Sequence, residues 1–146
     1  MDNYINSIIE ISHNNLPAQD NWKSFTITAK VISKFVEIEA FYIDEDSQTF
    51  YFDPKYPFTE DNDEDLTFIF INLRKAVYEK NTDKGTWYTA EIEVNHDGEF
   101  SINFEYDLKP EFTYEPSDDK YIDDLNRFPR KNQYIPDWLK EIKNKK

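Results

Sequence analysis

The most constraining feature of this chain is a run of side chains that alternate between apolar and polar at every second residue. The alternation covers Ser24–Val31 and resumes over Val36–Tyr42, and a turn at Asp44–Ser47 then leads into a short third predicted strand, Thr49–Phe52. Successive side chains of a strand point to opposite faces of its sheet. Each run therefore predicts a strand that is buried on one face.

A second pair of alternating runs lies later in the chain. Tyr88–Val94 and Phe100–Tyr106 both place an apolar residue at every second position, and the turn Asn95–Gly98 separates them. Gly98 supplies the residue that can adopt a positive φ in such a turn. This segment is predicted to form a β-hairpin.

Three segments have the spacing of helices. Asp2–Ser12 carries one apolar stripe, Thr59–Lys80 is long and has basic residues toward its end, and a final helix is predicted from about Pro136 to about Lys143. In the second helix one apolar stripe faces the sheet. Phe68 and Ile71 lie on another side of this helix, so we expect a different element of the protein to bury their side chains.

The order of these elements predicts the fold class. Strands that follow one another in hairpins, with helices outside them, favour an α+β fold rather than a parallel sheet. We expect an antiparallel β-sheet of four to five strands with helices packed on one face. The length of 146 residues fits a single domain over 1–146, with an irregular, basic C-terminal tail at about 127–146.

Charge narrows the range of partners. Thirty acidic and seventeen basic residues give a net charge of −13, which disfavours nucleic acid and anionic membranes as partners. The basic tail accounts for seven of the cations, so the body of the chain is more acidic still. The chain has no apolar run of membrane-spanning length and its start does not resemble a signal peptide, so we expect a cytoplasmic protein.

Motifs for catalysis are missing from the sequence. It has no cysteine, two glycines, no Gly-rich phosphate loop, and neither of the common zinc-protease and serine-hydrolase motifs. His13 and His96 stand apart from any plausible nucleophile. The acidic run that begins at Asp61 lacks the glycine and the final glutamate of a calcium loop. We expect no enzyme activity, no cofactor and no metal site.

Carboxylates interleaved with aromatic rings suggest a surface that binds a basic protein, because rings anchor interfaces and carboxylates pair with Lys or Arg. The main candidates follow the second hairpin, and further candidates lie in two acidic runs near the middle of the chain. The first set is Asp107, Glu111, Tyr114, Glu115, Asp118, Asp119, Tyr121, Asp123 and Asp124. The second set is Asp44, Glu45, Asp46, Glu60 and Asp61. The alternative is that the aromatic segment simply packs onto the sheet.

The second hairpin also resembles a known family. Trp87-Tyr88, Asp97-Gly98-Glu99-Phe100 and Phe104-Glu105-Tyr106-Asp107 are similar to the corresponding parts of the YezG-like immunity proteins. Members of that family are cytoplasmic antitoxins that neutralise secreted polymorphic toxins, often nucleases. The resemblance implies that this chain binds a cognate toxin. The matching positions imply a structural role and do not mark the inhibitory face.

Together these features favour an immunity protein that blocks a basic nuclease toxin of a secreted or contact-dependent toxin system. One alternative is an acidic DNA mimic or adaptor that binds a different basic host protein. A third possibility is an enzyme that uses carboxylate clusters with a metal. The sequence leaves open whether the protein is a monomer or a dimer.

Overall fold

The computed structural model describes residues 1–33, 35–55 and 65–145. In chain order the elements are α1 (Asp2–Asn14), β1 (Ser24–Ile32), β2 (Phe35–Ile43), β3 (Thr49–Phe52), α2 (Leu66–Lys80), β4 (Thr89–Asn95), β5 (Phe100–Glu105), α3 (Asp118–Arg127), a short 3-10 helix (Asn132–Tyr134) and α4 (Asp137–Asn144). All neighbouring strands are antiparallel, in the order β3-β2-β1-β4-β5. The predicted α+β class is confirmed.

The main core lies between one face of the sheet and the helices α1 and α2. Its centre is β1, where Phe25, Ile27 and Ala29 are fully buried. From the helices, Ile8 and Leu73 are also fully buried in the same core. The side chains that the alternation predicted to be apolar and inward therefore form a continuous layer, and the burial of this layer is the main source of stability.

The second helix begins with a defined cap. The side chain of Asp65 accepts a hydrogen bond from the Thr67 amide at 2.8 Å, so α2 starts at Leu66. The part of the predicted helix that precedes Asp65 lies outside the described residues. Phe68 and Ile71 remain 47% and 37% exposed, so no other described element provides the cover expected for them.

A second, smaller core closes one end of the sheet. Ile32, Phe35 and Tyr88 lie where β1 and β2 meet the start of β4, and they pack against apolar residues of the C-terminal segment. Those residues are Phe112, Tyr121, Ile122, Leu125, Ile135, Trp138, Leu139 and Ile142.

The prediction of an irregular tail is wrong in part. The segment contains α4, which was predicted, and the 3-10 helix, and it follows α3, which was not predicted. Arg130 is buried, and its guanidinium donates to the backbone oxygens of Thr86, Tyr106 and Tyr134. The tail is therefore anchored in the fold. Among the described helices, none is long and apolar enough to cross a membrane.

Candidate protein-binding surface

The face of the sheet opposite α1 and α2 carries acidic side chains in register. Glu39 on β2, Thr28 on β1, Glu91 on β4 and Asn103 on β5 are direct cross-strand neighbours. Glu93 lies two residues beyond Glu91 on the same face. We call Glu39, Glu91 and Glu93 the acidic sheet face.

These carboxylates are solvent-exposed and have no partners within the described part of the chain. Glu39, Glu91 and Glu93 are each exposed, and none of their carboxylates forms a hydrogen bond or an ion pair with any described residue. With a strand spacing of about 4.8 Å, Glu39 and Glu91 lie roughly 10 Å apart across Thr28. In the part of the chain that the structure describes, no ion pair therefore neutralises these three carboxylates.

One border of the face is formed by the chain that follows β5. The Thr113 amide donates to the Glu37 carboxylate at 3.1 Å, and the Lys30 ammonium donates to the backbone oxygen of Glu111. These contacts hold the segment against the end of the sheet, and Tyr114 beside it is 81% exposed. Glu111 and Tyr114, both predicted from sequence, therefore lie next to the acidic sheet face.

A second border is the edge strand β3, which lies beside β2. Tyr51 pairs with Phe41 in the register of the sheet, and their rings meet edge to face at 6.0 Å. Tyr51 is 77% exposed. An exposed ring beside exposed carboxylates is the combination expected of an interface anchor.

Three predicted partner-binding residues require correction, because the fold buries them. Tyr121 is fully buried in the second core and donates its hydroxyl to Glu115 at 2.7 Å. Asp124 is buried in an ion pair with Arg74. Asp44 is buried and its carboxylate accepts the amides of Asp46 and Gln48, which fixes the turn before β3. These side chains stabilise the fold and cannot contact a partner.

Other predicted residues are partly engaged inside the chain. Glu115 pairs with Lys109 at 3.2 Å, and Asp118 lies 3.7 Å from Lys145. Asp123 accepts hydrogen bonds from Ser33 and from Arg127.

The remaining predicted residues do not form one surface. Asp107, Asp119, Glu45 and Asp46 are exposed, but Asp107 and Asp119 lie near one end of the sheet and Glu45 and Asp46 lie in the turn at the other end. Glu60 and Asp61 lie outside the described residues. Sequence reasoning missed the acidic sheet face between these two ends, although the alternation that predicted the strands also implied that their polar residues share one face.

Burial raises the pKa values of the tyrosines of the second core. Desolvation raises the pKa of Tyr88 to about 12, although the nearby Arg130 opposes this shift. Desolvation also raises the pKa of Tyr121, and the hydrogen bond to Glu115 raises it further. Both hydroxyls stay protonated at neutral pH, so neither supplies a base.

The histidines are arranged for packing. The rings of His13 and His96 both pack against the buried Trp22, with centroids 5.5 Å and 4.8 Å from it. Within residues 1–33, 35–55 and 65–145 no group of His, Asp and Glu is placed to hold a metal ion.

No protein-family model matches the chain, and no curated protein matches it either.

Proposed function

We propose that this chain is an immunity protein that acts in the cytoplasm and neutralises a cognate protein toxin, most simply a basic nuclease domain. The acidic sheet face is the inhibitory surface, with Tyr51 and Tyr114 at its borders. Binding places negative charge and bulk over the groove with which such a nuclease holds its substrate. The mode of inhibition is a steric and electrostatic block.

The single observation that carries this proposal is the group of unpaired carboxylates on the part of this sheet face that no described element covers. Like charges on one face of a sheet repel one another, and a net charge of −13 adds self-repulsion to the whole fold. A cationic partner would relieve both costs. A purely solubilising surface does not require the charges to converge on one face.

Charge also supports the class of partner. An acidic surface attracts a basic protein over long range and accelerates encounter, and this acceleration weakens as salt screens the field. Nuclease domains bind a polyanion and therefore carry the complementary positive groove. The resemblance of the second hairpin to YezG-like immunity proteins points to the same class of partner.

The test uses the toxin domain encoded next to this gene, purified and assayed for nucleic acid cleavage. Neutralising the acidic sheet face with Glu39→Gln, Glu91→Gln and Glu93→Gln should weaken inhibition by about a hundredfold and flatten its salt dependence. A control with the same charge change uses the exposed Glu10→Gln, Asp20→Asn and Glu79→Gln, which lie outside the sheet, and should inhibit like the wild type.

Equal inhibition by the two triple variants would reject the acidic sheet face as the interface. If the wild-type protein leaves every basic toxin domain of its own genome active, the immunity function itself is rejected.

A further inference from the structure

The strand β2 extends past its outer neighbour. β3 pairs only with Ala40–Ile43, whereas β2 begins at Phe35. Among the described residues, no strand pairs with the outer edge of Phe35–Glu39. Within residues 1–33, 35–55 and 65–145, this half of β2 is therefore a free sheet edge.

The direction of the backbone groups on this edge follows from the hydrogen bonds of the turn. The Asp44 amide donates to the Gln48 oxygen at 3.0 Å, toward the β3 side. Orientation alternates along a strand, so Val36 and Ile38 also direct their N–H and C=O groups outward. Glu37 and Glu39 direct theirs toward β1. The edge thus offers backbone donors and acceptors at two alternate residues.

A groove of about 700 Å³ adjoins the free edge. Ile38, Ala40 and Phe52 belong to the helix side of the sheet, while Glu39 and Tyr51 belong to the acidic side. Asp53, Pro54 and Lys55 complete its lining. A segment bound here would meet apolar groups on one side and acidic and aromatic groups on the other.

We propose that this edge binds an extended segment of the basic partner as an added β-strand, in which Lys or Arg alternates with apolar residues. This inference rests on the proposed function for the identity of the partner. The net charge of −13 opposes the pairing of two copies of this chain along the same edge, whereas it attracts a cationic strand. Backbone hydrogen bonds supply affinity in such strand addition, and alternate side chains supply specificity.

The pleat of β2 determines which side each partner residue faces. Residues of the added strand that lie opposite Val36 and Ile38 direct their side chains to the helix side of the sheet, where apolar side chains fit. Residues opposite Glu37 and Glu39 point to the acidic side. The Glu37 carboxylate already accepts the Thr113 amide, so the main contacts of the partner's cation are the free carboxylate of Glu39 and the exposed ring of Tyr51.

The test uses an eight-residue peptide of alternating valine and lysine as the probe, with a peptide of the same composition but blocked order as its control. The full chain should bind the alternating peptide more tightly, with amide shift changes at Val36 and Ile38 in NMR spectra. Ile38→Pro removes the outward N–H and should weaken binding about tenfold relative to Ile38→Ala, which keeps that N–H. Lys55→Glu removes a cation from the groove and should tighten binding severalfold.

Equal binding of the two peptides, or shift changes confined to Glu91 and Glu93, would overturn strand addition. So would a dimer that forms along this edge, detected by ultracentrifugation and abolished by Ile38→Pro. These results leave the immunity function intact, since inhibition of the toxin is measured separately. Should Ile38→Pro fail to fold, the amide shifts and Lys55→Glu still decide the question.

Discussion

Arg74 and Asp124 form a two-point ion pair in the interior of the protein. The Arg74 Nη2 atom lies 2.8 Å from Asp124 Oδ2, a second bond joins Nη1 and Oδ1, and both side chains are 3% exposed. Arg74 also donates from Nε to the Trp87 oxygen at 2.6 Å. The pair therefore connects α2, α3 and the segment that leads into β4.

Removing one partner of this pair should destabilise the fold strongly. Asp124→Ala leaves a buried guanidinium without its counter-charge, and we expect a loss of about 3–5 kcal/mol in the free energy of unfolding. Arg74→Met with Asp124→Leu should cost less than Asp124→Ala alone. Urea denaturation gives both values, and Asp119→Ala on the exposed side of α3 is the control. A loss below about 1 kcal/mol for Asp124→Ala would contradict the prediction.

Gly85 is predicted to be intolerant of a side chain. Its φ is +82°, and a Cβ atom there would lie 2.4 Å from Cγ of the buried Arg130. Gly98 has a φ of +90° but open space around it, so Gly98→Ala isolates the cost of the backbone conformation. Gly85→Ala should lower the melting temperature clearly more than Gly98→Ala, because it also displaces Arg130. Equal effects would show that the Arg130 side chain moves without cost.

The protein should lose stability at high pH through Tyr88. Its pKa is raised to about 12 by burial, above the value of 10.0 for an exposed tyrosine. The folded state therefore holds the Tyr88 proton more tightly than the unfolded state does. The contribution of this proton to the free energy of unfolding is complete below pH 10 and is lost as the pH rises toward 12. Tyr88→Phe should reduce this decline, as measured by urea denaturation at a series of pH values. Identical slopes for Tyr88→Phe and the wild type would contradict the assignment.

Neutralising the acidic sheet face should stabilise the free protein. Glu39→Gln, Glu91→Gln and Glu93→Gln together remove repulsion among carboxylates on one face of the sheet, and we expect a gain of roughly 1 kcal/mol at low ionic strength that shrinks as salt is added. Thermal unfolding at two salt concentrations measures it. A loss of stability in the triple variant would mean that these carboxylates have a structural role.

The strands could be predicted from the sequence because apolar residues at every second position share one face of a strand but not one face of a helix. The same alternation placed Phe25, Ile27 and Ala29 in the core, and all three are buried there. The acidic sheet face was harder to foresee, because Glu39 and Glu91 become neighbours only through the pairing of both strands with β1. Strand order is a tertiary property that the local pattern does not contain.

The second core shows where sequence reasoning fails. α3 was not predicted because it is short and has only three apolar residues among its acids, although Tyr121, Ile122 and Leu125 do share one helix face. Asp124 looked like a surface charge because its partner Arg74 is fifty residues away in the chain. A buried ion pair and a solvated carboxylate are indistinguishable until the packing is known.

The strand order also sets the kinetics of folding. β1–β2, β2–β3 and β4–β5 are pairings of strands adjacent in the chain, whereas β1 and β4 join residues as distant as Ser24 and Asn95. Closing that long loop precedes any gain from the contacts it brings together, so we expect the pairing of β1 with β4 to be the slow step of folding. Truncating Ile27 or Ile92 at this seam should slow refolding, while truncating Phe50 in β3 should mainly hasten unfolding.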